Sequence, residues 1–134
     1  MRIALYISVI LILSSCGEGQ DIDPQSSSGT NQNKGSVLPV LETGIPMQVD
    51  GNLLQVRGQI KELGKKEILE YGHSWSLTNT TNSLQNVTTF GARSNTGTFQ
   101  TEIEVQKGNT YFIQAYAISV VGTTFGEVQQ IEIQ

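Results

Sequence analysis

From about Val40 onward, apolar and polar residues alternate with a period of two. Leu54, Val56, Gly58 and Ile60 share one parity, and Gln55, Arg57, Gln59 and Lys61 the other. Phe99, Thr101, Ile103 and Val105 alternate with Gln100, Glu102, Glu104 and Gln106, and Tyr111, Ile113, Ala115 and Ala117 with Phe112, Gln114, Tyr116 and Ile118. Successive side chains of a strand point to opposite faces, so this pattern predicts half-buried strands. Turn-forming residues punctuate the runs: Asp50-Gly51-Asn52, Gly64-Lys65, Thr78 to Asn82, Ser94 to Gly97, Lys107-Gly108-Asn109 and Val121-Gly122-Thr123. Seven strands are expected, over about 40–49, 52–62, 67–77, 85–92, 97–105, 110–119 and 123–133. Short strands at this spacing point to an all-β sandwich. The roughly 95 residues available can close one modest core without disulfides.

The first residues follow a different rule. Ile3 to Leu13 is an unbroken apolar run behind Met1 and Arg2. It is too short to cross a bilayer as a helix, which takes about 20 residues, and has the length of a signal-peptide core. Leu13-Ser14-Ser15-Cys16 follows: an aliphatic residue, two small ones and a cysteine. This resembles the lipobox of bacterial lipoproteins. The resemblance implies cleavage before Cys16, diacylglycerol on its thiol and a second acyl attachment on its amine. Stable anchoring needs more than one chain. Cys16 is the only cysteine, which rules out an internal disulfide.

Residues 17–38 are dominated by Gly, Ser, Asn, Gln and Asp. Such a stretch buries too little apolar surface to offset its ordering entropy. The organisation expected is therefore a signal peptide over 1–15, a lipidated Cys16 with a flexible tether over 16–38, and a domain over 39–134. A tether of about 22 residues has a reach of roughly 25 Å as a Gly/Ser-type coil. Gly17 after the anchor is compatible with delivery to the outer membrane. The spaced acids Glu18, Asp21 and Asp23 resemble the surface-export signals of some bacterial lipoproteins.

Within the domain, a run from Val105 through Gly108, Tyr111, Ile113, Ala115, Tyr116 and Ala117 to Gly122 and Gly126 resembles the second half of fibronectin type III domains. It implies an immunoglobulin-like, seven-stranded sandwich. Tyr111 stands at the tyrosine-corner position, where the ring fills the core and the hydroxyl bonds back to the chain upstream. Glu70 to Ser76 resembles strand C of the repeats found in bacterial lipoproteins. Two positions depart from the pattern. Lys107 replaces the usual Pro, and Arg57 and Gly58 lie where strand B carries a Trp, leaving Trp75 as the alternative core aromatic.

Charge narrows the partners. Eight basic and twelve acidic residues give a net charge of −4, with no cluster able to neutralise phosphates, so nucleic acid is not expected. Lys61, Lys65 and Lys66 surround a Gly in what reads as a solvated turn. His73 is the single histidine, and with Cys16 it cannot complete an ordinary zinc set. It shares parity with Tyr71 and Trp75 and so reads as a structural core histidine bonded to a backbone carbonyl. Glu102 and Glu104 share a strand face among Gln residues and read as solvated. Asn79-Thr80-Thr81 and Asn86-Val87-Thr88 match glycosylation acceptors that a bacterial lipoprotein does not expose to the relevant enzyme. No catalytic set, metal or cofactor is expected. The candidate binding face is Phe112, Tyr116 and Ile118, outward on the sixth strand, where aromatic rings could stack on sugars or anchor a protein. The expected role is a non-enzymatic envelope module, lipid-anchored at the outer membrane and facing the cell surface. Its work would be adhesion or accessory capture of a glycan or protein. The alternative is a structural part of a periplasmic or outer-membrane assembly.

Overall fold

A computed structural model describes residues 35–80 and 82–134. The expected signal peptide, Cys16 and all but the last residues of the expected tether lie outside the described residues. Nine strands are present: β1 (Val40–Thr43), β2 (Met47–Asp50), β3 (Leu53–Glu62), β4 (Ile68–Ser76), β5 (Asn86–Phe90), β6 (Gly97–Glu104), β7 (Thr110–Ser119), β8 (Gly122–Phe125) and β9 (Gln129–Glu132). All pairings are antiparallel. In one sheet β1 and β2 both pair with β3, which also pairs with β6. The other runs β5-β4-β7, with β8 and β9 both paired to β7.

The nine segments fill seven strand positions, because the first and last expected strands are each broken. Gly44-Ile45-Pro46 separates β1 from β2, and a proline has no N–H to give to a ladder. Gly126 to Val128 separates β8 from β9. The two gaps meet. The Thr43 hydroxyl accepts the Ala115 N–H at 2.9 Å, and Gly126 donates to the Ala115 carbonyl at 2.8 Å. A Cβ on Gly126 would stand 2.6 Å from that Thr43 oxygen. Thr43 thus bridges the two sheets along one side.

The inward residues make two adjoining clusters. One holds Leu54, Val56, Ile103, Val105, Tyr111, Ile113 and Ile133, with half-buried Trp75 packed on it. The other holds Ile60, Ile68, Phe99, Ala115 and Ala117, flanked by Tyr71 and Phe90. Phe99 supplies the aromatic bulk that strand B lacks. Its ring lies where a Cβ on Gly58 would be, 2.3 Å from Cζ. Tyr71 meets it edge-on at 5.0 Å. That packing is why Gly58 is tolerated mid-strand, where glycine otherwise weakens a sheet.

Chain direction sorts the loops to two ends. Residues 35–39, 63–67, 91–96 and the turn Val120-Val121 gather at the proximal end, where the described chain begins. The turns at 51–52, 77–85 and 105–109 gather at the distal end with Gln134.

Candidate functional site

β7 lies between β4 and the broken last strand, so its outward residues sit near the middle of their sheet. The candidate face of Phe112, Tyr116 and Ile118 is not open as expected. Tyr116 is fully buried, while Phe112 and Ile118 are half-buried. Gly72 on β4 stands opposite Tyr116 on β7 and opposite Thr89 on β5. A Cβ on Gly72 would stand 1.8 Å from the Thr88 carbonyl oxygen, and the Tyr116 side chain reaches across β4 toward β5. Its hydroxyl lies 3.1 Å from the Thr89 hydroxyl and donates to Glu70 Oε1 at 2.8 Å. Burial raises the Tyr116 pKa, the Glu70 carboxylate adds to the rise, and the Thr89 hydroxyl pulls against it. Tyr116 is a structural cross-brace rather than a docking ring.

Phe112 belongs to a different feature. It lines a narrow crevice with Ser74, Ser76, Gln114, Thr80 and Ser83. The β4–β5 connection brings Thr80 and Ser83 over the outer surface of β4 and β7. The crevice is too narrow to admit a water molecule. Its floor is polar and buried: Ser74 is 2%, Gln114 3% and Ser76 7% exposed. The Ser76 hydroxyl lies 3.1 Å from that of Thr78. Gln114 Oε1 is buried, and among the described residues it has no hydrogen-bond partner. A buried amide oxygen left unpaired costs on the order of 1–3 kcal/mol, so a polar donor arriving there would be well received.

Tyr111 faces inward. Its hydroxyl accepts the Gln106 N–H at 2.9 Å, across a turn in which Gly108 takes a φ of +82°. This fixes the corner between β6 and β7. His73 is fully buried against Phe99, with ring centroids 5.0 Å apart. Nδ1 lies 2.9 Å from the Thr101 hydroxyl. Among the described residues Nε2 has no close hydrogen-bond partner. Desolvation lowers its pKa to about 4, with the backbone of Arg57 pulling weakly the other way. Ser74 and Ser76 lie on the opposite face of β4, so no hydroxyl nucleophile on that strand faces the imidazole. Glu102 and Glu104 are solvent-exposed on β6.

No family model and no curated protein sequence matches the chain. Solved structures do. The sensor domain of the anti-sigma factor RsgI4 from Pseudobacteroides cellulosolvens superposes with a TM-score of 0.53 at 7% identity, over 70% of this chain and 92% of that one. The sixth fibronectin type III domain of human fibronectin type III domain containing protein 3 superposes with a TM-score of 0.50 at 20% identity, over 74% of this chain and 89% of that one. The fold is fibronectin type III-like.

Within this fibronectin-like sandwich, sequence reading missed Gln114, Ser74 and Thr43. A lone polar residue in an alternating strand normally signals a solvated face. The covering loop reverses that meaning, and nothing local to residues 74 or 114 announces the loop's path. Cys16 falls outside the described residues.

Proposed function

We propose that the chain is a lipid-anchored bacterial envelope protein, held through Cys16, whose sandwich is a non-enzymatic binding module at the outer surface. The observation that carries the binding reading is the crevice beside Phe112, with its unpaired Gln114 carbonyl. An aromatic edge next to a buried, unsatisfied acceptor suits a neutral polar ligand rich in hydroxyl donors, such as a glycan. The ligand would enter by displacing the loop that carries Thr80 and Ser83. Anchoring rests on Leu13-Ser14-Ser15-Cys16 and the apolar run before it.

Two measurements test this reading. Palmitate labelling of the cells is expected to mark the chain and to be lost in Cys16→Ala; label retained in that variant overturns the anchor. A glycan screen with the intact protein is expected to find binding that falls at least tenfold in Phe112→Ala and Gln114→Ala. Both variants leave the core untouched, so unchanged binding overturns the crevice as the site.

A second reading draws on the β6 edge. Among the described residues β6 pairs only with β3, in unbroken register from Gly97 to Glu104. It carries no proline, lysine or bulge, and the Arg93 guanidinium covers only its start, at the Thr98 carbonyl. Such an edge accepts an added strand, which would suit a structural role in an assembly. Protease treatment of intact cells separates the readings. Removal of the domain supports surface display, and protection until the outer membrane is opened supports the assembly.

A further inference from the structure

The proximal end carries apolar residues that the fold does not use. Val120 is 66%, Val37 49%, Leu69 47% and Val121 45% exposed. They are neighbours through the backbone. Val120 and Val121 form the two-residue turn between β7 and β8, where Ser119 pairs with Gly122. Two-residue hairpins favour Asn, Asp and Gly at such positions, so two exposed valines break the local rule without a packing gain. Rule-breaking without a structural return marks function more often than chance. Leu69 sits beside that turn. The register of β4 against β7 shifts between Ile68 and Glu70, and this bulge turns Leu69 outward while Ile68 stays in the core.

The arriving chain completes the patch. Leu38 Cδ2 lies 3.5 Å from the Cβ position of Gly122. The Val37 carbonyl accepts the Lys65 N–H at 3.1 Å. Exposed Lys65 and Lys66 border the apolar residues on the β3–β4 turn. Branched apolar tips with the Lys65 and Lys66 ammonium groups on one side fit the boundary of a lipid leaflet, where the tips enter the acyl margin and the ammonium groups meet headgroup phosphates, while exposed Glu62 and Glu67 on the same turn keep the electrostatic attraction modest.

We propose that this proximal end docks on the lipid surface, with Val120 and Val121 as the inserting tip, Val37 and Leu69 flanking it, and Lys65 and Lys66 on the headgroups. The occupant follows from chain geometry. The described chain begins at this end, and Cys16 lies 19 residues before Gly35. The patch therefore surrounds the point at which the chain from Cys16 enters the domain. Tethering raises the local concentration of leaflet far above that of any free partner, so a weak contact suffices. This inference rests on the anchored reading above and adds an orientation to it. The distal loops, with the mouth of the Phe112 crevice beneath residues 77–85, point away from the membrane.

The test uses the full lipidated chain in vesicles of phosphatidylethanolamine and phosphatidylglycerol. Cys16 is acylated there, so Val121→Cys provides one free thiol for an environment-sensitive fluorophore, and Lys107→Cys provides the distal control. Nitroxide-labelled lipids are expected to quench the label at 121 at least threefold more than at 107. Val120→Asp in the Val121→Cys chain is expected to abolish the difference, and both positions are exposed enough to leave folding intact. Equal quenching at 121 and 107 in a chain that carries palmitate overturns docking while leaving the anchor standing. A chain that carries no palmitate overturns the anchor and docking together.

Discussion

His73 keeps its ring neutral well below the pH at which a free imidazole takes up a proton, because its charge would have to sit in the apolar core against Phe99. The unfolded chain binds that proton near pH 6.5 and the folded chain only near pH 4. Stability is therefore complete above pH 6.5 and falls as the pH drops toward 4, by about 3 kcal/mol across that window. Urea unfolding at pH 7.5 and pH 4.5 measures the loss. The variant His73→Phe is expected to show a smaller difference between the two pH values, since it removes the titrating group from a ring-sized site. A slope as steep as the parent's would place the acid sensitivity elsewhere. At this scale the sequence was informative about direction. Parity put His73, Tyr111 and Trp75 inward, and they are inward. It was uninformative about cover. Tyr116 has outward parity yet is buried, its hydroxyl held across β4 by Glu70 and Thr89.

The strand breaks show the same limit at the level of elements. Pro46 and Gly126 are visible in the sequence, but nothing there shows that both gaps fall beside Ala115. The structure resolves them together: where the last strand leaves β7, the Thr43 hydroxyl takes the N–H that would have gone unpaired. Thr43→Val keeps the shape and removes the acceptor. It is expected to cost about 1–3 kcal/mol, the penalty for a buried donor without a partner, whereas Thr43→Ser retains most of the stability. Chemical denaturation of the two variants checks this, and near-equal losses would show that the hydroxyl is idle. The strands themselves were legible because period-two alternation survives wherever one face is buried. Their pairing was legible only through the resemblance of the β6–β7 corner to fibronectin type III domains.

For the molecule as a whole, two apolar clusters share a single set of strands. β3, β6 and β7 each contribute to both: Val56 and Ile60, Ile103 and Phe99, Ile113 and Ala115. The clusters are therefore expected to melt as one unit. Trp75 is the only tryptophan and reports the first cluster by fluorescence. Tyr71, stacked on Phe90 at 5.1 Å, contributes near-ultraviolet dichroism from the second. Coincident thermal transitions are expected from the two signals, and a gap between them would reveal separable halves. The sandwich class was readable from the spacing of strands and turns. The polar crevice was not, because it depends on where one loop comes to rest.

The placement of the two ends of the described chain has a mechanical consequence. Gly35 and Gln134 lie at opposite ends of the sandwich. Tension between them runs along β1 against β3 and along β9 against β7. Both ladders are then pulled lengthwise, so their hydrogen bonds share the load instead of parting one at a time. The Thr43 bridge ties loaded β1 to β7, the strand against which β9 is pulled. Between Gly35 and Gln134 the domain is therefore expected to resist stretching as a stiff link.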